Sequence, residues 1–453
     1  MKDEGRSRVL RLIALAVYVA AIILLELHHE PWRDEADPWL LARDADFFTF
    51  FHRMGLSGTP GLWHSILVPF ARSGMPYGSQ AVLQVLLASC TAALILWKAP
   101  FPIWLRIITI YSYYFSYEYS VVVRSYALGV LLLFSIAAMY PRRFEKPLAF
   151  GILVALLANT NTHSLIIAAM IGAGFLLEGH RRALGGAAIM LIGGVAAAAQ
   201  VYPPPDSISR GVLLYTPQAV PIAISAAFFP TFPFAGAAIA GVVVIAVVAW
   251  SLRNDRVPLL VMCGAYAGLA FLYIYKWIGG FRHAGFVLLV ILYALWISSS
   301  RSLAAYVALG LTLIVSIAGA ARVAQLDWNY AFSGAKEMAA FIRGEHLESL
   351  PIAAHSETTT SAVCPWIPHP FWYAGSQREG TFNMWDQRFE RGLEVPYPQA
   401  VENAKRHFAG RDYLLLLNVE MPNPAANGFR LLYTNHQFVF AHPDERFWLY
   451  RQR

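Results

Sequence analysis

Charged residues are scarce in this chain of 453 residues. They make up 14% of it, whereas soluble globular proteins average about 25%, and hydrophobic residues make up 57%. This balance excludes a disordered chain, a coiled coil and an ordinary soluble enzyme. Lipid is the solvent that suits so much apolar surface, so the composition predicts a membrane protein with many spans.

Cysteine and nucleotide-binding motifs are also lacking. Three cysteines, Cys90, Cys263 and Cys364, do not make a disulfide framework. Neither a GxxxxGK[ST] loop nor a GxGxxG turn after a strand occurs, so nothing indicates a nucleotide site. The first apolar run, residues 9–27, has no small-residue cleavage site after it, which predicts an uncleaved first helix.

The few charges are unevenly distributed between two regions. Residues 1–324 hold 23 basic and 14 acidic groups, whereas residues 325–453 hold 12 basic and 14 acidic groups. The second region therefore has the charge density of a soluble domain, about 20%, against about 11% for the first. We predict a membrane domain at 1–324 and a small α/β domain at 325–453.

Apolar runs long enough to cross about 30 Å of hydrocarbon recur along the first region. They predict about eleven spans, at 9–27, 79–97, 103–117, 121–139, 147–160, 163–178, 183–201, 234–252, 257–275, 283–299 and 303–320. With the N-terminus inside, the basic loops all fall on the cytoplasmic side, as the positive-inside rule requires. An odd number of spans then places the C-terminal domain outside, and a bacterial inner membrane fits this arrangement.

Two amphipathic helices are predicted in the first outer loop, residues 28–78. Leu40, Phe47, Phe51 and Met54 share one helical face, and Leu62, Ile66 and Phe70 share another. Such helices lie in the membrane interface, although a loop that merely packs on the membrane is the alternative.

In the C-terminal domain, periodicity predicts two helices and several strands. One helix is capped by Ser333, and the other spans 398–408. The strands lie at 351–355, 413–419, 429–433, 438–441 and 447–450. Aromatic residues crowd the stretch 365–386. This stretch is the core of the small domain, its contact with the bilayer, or an acceptor-binding surface that stacks on sugar rings.

The densest polar cluster follows the first span. It contains Asp34 and Glu35, preceded by His28 and His29 and bracketed by Trp32 and Trp39. An acidic pair at the membrane surface is either a solvated flank or a site in which neighbouring groups tune one carboxylate as a general base.

An Asp-Glu pair after the first span, followed by juxtamembrane helices, resembles the GT-C glycosyltransferases. These include the protein O-mannosyltransferases, the lipid A aminoarabinose transferases and the bacterial transferases grouped with glycosyltransferase family 39. Three further segments add to the resemblance, namely VRSYAL at 123–128, GFRH at 280–283 and GTPGLW at 58–63. Ser125 and the single Pro60 depart from the prolines usual in that family.

The resemblance implies transfer of a sugar from a polyprenyl-phosphate carrier to a lipid, glycan or protein hydroxyl, with inversion. Asp34 is then the catalytic base, and Glu35 orients it or pairs with an arginine. The carrier phosphate needs cationic donors, for which Arg282, His283, Arg124 and Lys276 are the candidates. Arg124 as an interfacial anchor, and Arg282 with His283 as a positive flank, are the alternatives.

Four residues are candidates for binding substrate: Glu118, Tyr126, His163 and Trp63. Glu118 either binds sugar hydroxyls or pairs with Arg124. His163 is alternatively an interfacial histidine with a structural role.

We expect no metal cofactor. His28, His29, Asp34 and Glu35 are competent ligands for a divalent ion, but their spacing matches no zinc pattern.

The expected partners are the donor, the acceptor and membrane lipid, without nucleic acid. Two alternatives remain open: a flippase of lipid-linked sugars, and a polysaccharide polymerase or ligase.

Overall fold

The computed structural model describes residues 2–179, 181–232, 234 and 236–452. The chain is mostly helical and has one small sheet near its C-terminus. Among the described residues, fifteen α-helices belong to the region predicted to lie in the membrane, and the second, third and fourth of them form its predicted first outer loop. The remaining helices surround the sheet.

The helices, in chain order, have the following bounds. They are α1 (Lys2–His28), α2 (Arg33–Asp44), α3 (Phe47–Ser57), α4 (Leu62–Arg72), α5 (Ser79–Lys98), α6 (Ile103–Tyr111), α7 (Ser125–Met139), α8 (Pro147–Ala158), α9 (Thr162–Leu177), α10 (Leu184–Val201), α11 (Ala219–Phe228), α12 (Ala237–Ser251), α13 (Arg256–Tyr275), α14 (Phe281–Ile297), α15 (Leu303–Asn329), α16 (Ala335–Gly344), α17 (Glu357–Thr360), α18 (Gln387–Leu393) and α19 (Tyr397–His407).

Six helical segments in the described residues are long and apolar enough to cross a membrane. They are Gly5–His28, Ser79–Lys98, Ser125–Arg142, Leu184–Val201, Arg256–Tyr275 and Leu303–Asn329. Four more predicted spans correspond to shorter apolar helices, α8, α9, α12 and α14. At 1.5 Å per residue the 12 residues of α8 extend about 18 Å, less than the hydrocarbon thickness. The structure thus supports a helical membrane protein and does not confirm eleven spans.

The predicted span at 103–117 is not a single helix. Helix α6 ends at Tyr111, and a π-helical turn occupies Tyr114–Glu118. The hydroxyl of Ser112 donates to the carbonyl of Thr109 (2.7 Å), and that of Ser116 donates to the carbonyl of Tyr111 (2.9 Å). Serine side chains that bond to nearby carbonyls compete with regular helical geometry, which explains the break.

The outer loop at 202–232 contains a helix that the sequence pattern did not predict. Helix α11 packs against α14, and its Ala223, Ala227 and Phe228 are buried. Nine of its ten residues are apolar, with Ser225 as the exception, so periodicity gave no indication of a buried face.

The segment after α1 forms three helices rather than two. The side chain of Asp46 accepts a hydrogen bond from the backbone N–H of Thr49 (2.9 Å), so α3 begins there as a new helix. Leu40 and Met54 are buried, whereas Phe47 and Phe51 are exposed, so the single apolar face predicted for these residues is wrong. Exposed phenylalanines on α3 suit a membrane interface, and α4 packs against α2.

A mixed six-stranded sheet forms the centre of the C-terminal domain. Its strands are β1 (Ile352–Ala354), β2 (Phe371–Tyr373), β3 (Arg378–Gly380), β4 (Leu414–Leu417), β5 (Phe429–Thr434) and β6 (Trp448–Gln452). The order across the sheet is β3-β2-β1-β4-β6-β5, in which β1 is parallel to both of its neighbours and the other pairs are antiparallel.

Most of the predicted elements of this domain are present. The strand predicted at 438–441 is wrong, because Val439 makes only an isolated bridge to Ala331. Strands β2 and β3 lie in the aromatic stretch 365–386 and were not predicted. Trp372 and Tyr373 of this stretch are buried, so it contributes largely to the core.

The sheet joins the small domain to the helices. Alternate residues such as Ile352, Tyr373 and Leu449 belong to a hydrophobic cluster that is continuous with the helical region. The other face, which includes Trp372 and Leu415, packs against α19 in a separate cluster. Helix α15 continues through the boundary predicted at residue 324, so no flexible linker separates the two regions.

Candidate functional site

Asp34 lies between two arginines from distant parts of the chain. Its Oδ2 is 2.6 Å from Nη1 of Arg124 and 3.1 Å from Nη1 of Arg282. Asp34 lies in the first turn of α2, Arg124 directly precedes α7, and Arg282 lies in the first turn of α14. Because helix N-termini carry partial positive charge, α7 and α14 add to the positive potential of the two guanidinium groups.

These three side chains remain partly accessible. The exposed fraction is 28% for the Asp34 side chain, 22% for Arg124 and 19% for Arg282. Burial raises the pKa of Asp34, but Arg124, Arg282 and Arg33 outweigh burial and lower that pKa to about 2. Asp34 is therefore ionised at neutral pH, and the cluster combines one carboxylate with two cations.

The indole of Trp32 forms one wall of the cluster. The guanidinium carbon of Arg282 lies 4.6 Å from the centre of the indole ring. His442 of the C-terminal domain stacks on the same ring, with a centroid distance of 3.7 Å and an interplanar angle of 6°. The C-terminal domain thus contributes a side chain next to the residues that hold Asp34.

A buried layer of His283, Tyr126 and His163 lies beside Arg282. The backbone N–H of Gly280 donates to Nδ1 of His283 (2.7 Å), so a neutral His283 carries its proton on Nε2. That nitrogen is 2.7 Å from the hydroxyl of Tyr126. The ring of His163 stacks on His283 at 4.8 Å, and its Nε2 has no hydrogen-bond partner among the described residues.

Glu35 points away from the arginines into the protein. Its Oε1 is 3.1 Å from Nε2 of His29, and its Oε2 accepts the backbone N–H of Val123 (2.8 Å). Nδ1 of His29 is 2.8 Å from Oδ2 of Asp327, which also accepts the hydroxyl of Tyr117 (2.9 Å). We call Glu35, His29, Asp327 and Tyr117 the buried carboxylate network.

The electrostatics of this network differ from those at Asp34. The side chains of His29, Glu35 and Asp327 are at most 2% exposed. Burial lowers the pKa of His29, but the carboxylates of Asp327 and Glu35 raise it well above its usual value. A protonated His29 between two carboxylates fixes α1, α2 and α15 to one another.

The other predicted residues lie at varying distances from this centre. Glu118 accepts the hydroxyl of Tyr113 (2.7 Å), and no ion pair with Arg124 occurs among the described contacts. Trp63 is buried in α4, which packs against α2, and its Nε1 has no partner in the described part of the chain. Lys276 is exposed and donates to the carbonyl of Val212 (3.2 Å), and none of the described contacts joins it to Asp34.

The structure therefore brings together Asp34, Arg124 and Arg282, with His283, Tyr126 and His163 in the adjacent layer. Lys276 makes no described contact with any of them. Sequence reasoning missed the roles of Asp327, Tyr117 and His442. For Asp327 a signal existed, because it is an acid near the end of a long apolar helix, where ionisable groups are unusual.

Such a cluster is suited to binding an anion beside a carboxylate. Two arginines offer planar guanidinium groups that match phosphate oxygens, and they lie within reach of one carboxylate. Within the described residues, no group of three or more His, Cys, Asp or Glu side chains is arranged to hold a metal ion.

Comparison of the chain with protein-family models, curated proteins and solved structures finds no match to any of them.

Proposed function

We propose that this protein is a membrane glycosyltransferase that transfers a sugar from a polyprenyl-phosphate carrier to an acceptor hydroxyl at the outer face of the membrane. One observation carries the proposal. Asp34 lies between Arg124 and Arg282, and both arginines lie at the N-terminal ends of apolar helices. A carrier phosphate requires cations, and an acceptor hydroxyl requires a base close to them.

The proposed reaction assigns one task to each group. The acceptor oxygen attacks the anomeric carbon while the bond from that carbon to the phosphate oxygen breaks. Asp34 takes the proton of the acceptor hydroxyl, and the polyprenyl phosphate leaves with the bonding electrons. Arg124 and Arg282 stabilise the charge that develops on the phosphate. A single displacement of this kind inverts the anomeric configuration.

The low pKa of Asp34 is compatible with this task, because the arginines that cause it are also the proposed phosphate ligands. A bound phosphate neutralises part of their charge and so raises the pKa of Asp34 towards its ordinary value. Donor binding would thereby turn a strongly ionised carboxylate into a better base.

The membrane arrangement belongs to the same proposal. Eleven crossings, a cytoplasmic N-terminus and an outer C-terminal domain in a bacterial inner membrane would place the cluster on the outer side. The helix ends that meet there, those of α1, α7, α14 and α15, support this arrangement, because their polar groups converge on one end of the helical region.

A flippase of lipid-linked sugars is the second candidate. The interruption between α6 and the π-helical turn favours it, because transporters use broken helices to form their binding sites. The two candidates differ in whether a covalent bond to the sugar is broken.

The deciding experiment uses the full-length protein in nanodiscs with synthetic polyprenyl-phosphate sugars and an envelope extract as acceptor. Asp34→Asn is compared with wild type and with Asp412→Asn, which removes an exposed carboxylate paired with Arg451. We expect carrier-dependent transfer by wild type and by the control variant, and a loss of about 10²- to 10⁴-fold in Asp34→Asn.

Two outcomes would contradict the proposal. Transfer that survives Asp34→Asn would remove Asp34 as the base. Absence of transfer with every carrier, together with movement of carriers across liposome membranes, would favour the flippase.

A further inference from the structure

A cleft of about 620 Å³ lies between α2 and the C-terminal domain. Arg43 and Asp44, at the end of α2, form one side. The other side is formed by the segment before β2 and by the edge strand β3 with the residues that follow it. His369, Glu379 and Phe382 are its principal side chains. The cleft is separate from Asp34, which lies at the opposite end of α2.

Hydrogen bonds between the two regions hold the walls of the cleft in place. The hydroxyl of Thr381 donates to Asp44 (2.5 Å), and the backbone N–H of Asn383 donates to Asp37 (3.1 Å). Arg53, which is buried, bonds to Asp37 at 2.6 Å and also to the carbonyl of Asn383. Because these contacts join α2 and α3 to the stretch after β3, the width of the cleft is fixed by the fold.

The lining combines hydrogen-bonding groups with flat apolar surfaces. Arg43 and Asp44 pair with each other through two contacts of 2.7 and 2.9 Å and remain 26% and 28% exposed. Glu379 is exposed with no side-chain partner among the described residues. The Nδ1 of His369 donates to the carbonyl of Pro370 (3.0 Å) and its Nε2 is buried, so His369 contributes the surface of its ring and no accessible nitrogen. Phe382 and the prolines on either side of His369 supply the apolar faces.

This composition matches the chemistry of carbohydrate. Sugar rings present hydroxyls, which both donate and accept, and carbon–hydrogen faces, which pack on aromatic rings. Carboxylates accept from hydroxyls, and a guanidinium donates to them. The cleft carries both signs of charge, so neither an anionic nor a cationic ligand is strongly favoured over a neutral one.

Helix α2 sets the distance between the cleft and the candidate site. Asp34 and Asp44 are ten residues apart on one helix. At 1.5 Å per residue this separation is about 15 Å. A molecule that occupies the cleft while one end reaches Asp34 must therefore be an extended chain of several units.

We propose that this cleft binds the glycan part of an extended acceptor, several sugar units away from the hydroxyl that reacts. The identification of this glycan as the acceptor rests on the proposed function, whereas glycan binding at the cleft does not depend on it. The structure thus indicates an acceptor that is itself an oligosaccharide or carries one.

The test measures binding without transfer. Full-length protein in nanodiscs is applied to an array of immobilised oligosaccharides, as wild type, Arg43→Ala, Glu379→Gln and the double variant. The matched control is Arg430→Ala, which removes an exposed arginine from β5, at the other edge of the sheet. We expect wild type and the control to bind a set of glycans and the double variant to lose about tenfold or more in affinity for them.

Binding of no oligosaccharide on the array, or binding that the cleft variants and the control reduce equally, would overturn the proposal. Failure of the proposed function gives a different result, namely glycan binding at the cleft without carrier-dependent transfer. If transfer does occur, the double variant is expected to raise the KM for acceptor about tenfold while leaving the KM for donor unchanged. An unchanged KM for acceptor would overturn the proposal.

Discussion

Asp34 and Glu35 are neighbours in the chain, yet their carboxylates lie in contrasting surroundings. Asp34 is 28% exposed and faces two arginines, whereas Glu35 is fully buried and faces His29 and the backbone of Val123. The two side chains start about 100° apart around α2, because an α-helix has 3.6 residues per turn. This rotation is enough to direct one into an accessible cluster and the other into the protein interior.

Under the proposed function, these surroundings suit the two carboxylates to different roles. A group that exchanges a proton with substrate needs access and partners that a ligand can also use, and Asp34 has both. A carboxylate whose partners belong to the fold contributes to its geometry instead. Glu35 accepts from Val123, the residue before Arg124, so it helps to set the position of that arginine.

The largest expected effect on stability comes from Glu35→Ala. It removes one of the two carboxylates that compensate His29 and leaves the N–H of Val123 without its acceptor. Breaking a buried ion pair typically costs about 3–5 kcal/mol of unfolding free energy. The expected result is a much lower midpoint of denaturation in detergent. Asp34→Asn is expected to cost less, about 2 kcal/mol, because the arginines lower the pKa of Asp34 from 3.8 to about 2 and each pKa unit corresponds to about 1.4 kcal/mol.

The opposite pattern would contradict this division. If Glu35→Ala unfolds like wild type but has lost transfer, Glu35 takes part in the chemistry. If Asp34→Asn is the less stable variant, the Asp34 cluster is a structural contact.

A smaller effect is expected from Gly285→Ala in α14. A Cβ at this position would collide with the hydroxyl of Tyr119 and the ring of Tyr114. Overpacking of this kind typically costs about 1–3 kcal/mol. The hydroxyl of Tyr119 also donates to the carbonyl of Arg282 (2.5 Å), so displacement of Tyr119 is expected to disturb the Asp34 cluster. Lower transfer and a lower unfolding midpoint are the expected results.

Gly194→Ala in α10 is the matched control, since nothing lies within 4 Å of its Cβ position. It is expected to leave stability unchanged or slightly higher, because alanine favours helix more than glycine does. Equal behaviour of the two alanine variants would show that the packing of the tyrosines on α14 is loose.

Sequence reasoning found the three residues of the Asp34 cluster because each lies at the end of an apolar run. The same signal selected Lys276, whose side chain bonds instead to the carbonyl of Val212. The end of a span fixes the depth of a residue and not its direction around the helix axis. The contact between His29 and Asp327 joins residues 298 positions apart, which no local pattern predicts. The side-chain cap at Asp46 likewise overrides the apolar periodicity of 40–54.

Glu445 combines a feature of each residue, because it is buried like Glu35 and lies close to an arginine like Asp34. Burial raises the pKa of Glu445, and Arg33 and the hydroxyl of Ser333 lower it. Burial has the larger effect, and the pKa is about 8. The native state therefore keeps a proton that the unfolded chain loses at about its ordinary pKa of 4.5. Stability is expected to fall as pH rises between these two values, by the linkage of proton binding to unfolding.

The measurement is thermal unfolding of wild type and Glu445→Gln across pH 5 to 8, a range of about three units within that window. Glutamine has no proton to lose, so the variant is expected to gain stability relative to wild type as the pH rises. Parallel curves would show that Arg33 keeps Glu445 ionised throughout, which would make it resemble Asp34 rather than Glu35.

The smallest effect is expected where the C-terminal domain touches the Asp34 cluster. His442 stacks on Trp32, and Trp32 in turn contacts the guanidinium of Arg282. An aromatic pair contributes about 0.5–1.5 kcal/mol beyond its buried area, so His442→Ala is expected to lower stability by about that amount and to weaken donor binding a few-fold. His442→Phe keeps a flat ring and is expected to restore both quantities. If phenylalanine fails to restore donor binding while stability recovers, the imidazole nitrogens act on the phosphate, and the C-terminal domain supplies a binding group rather than a wall.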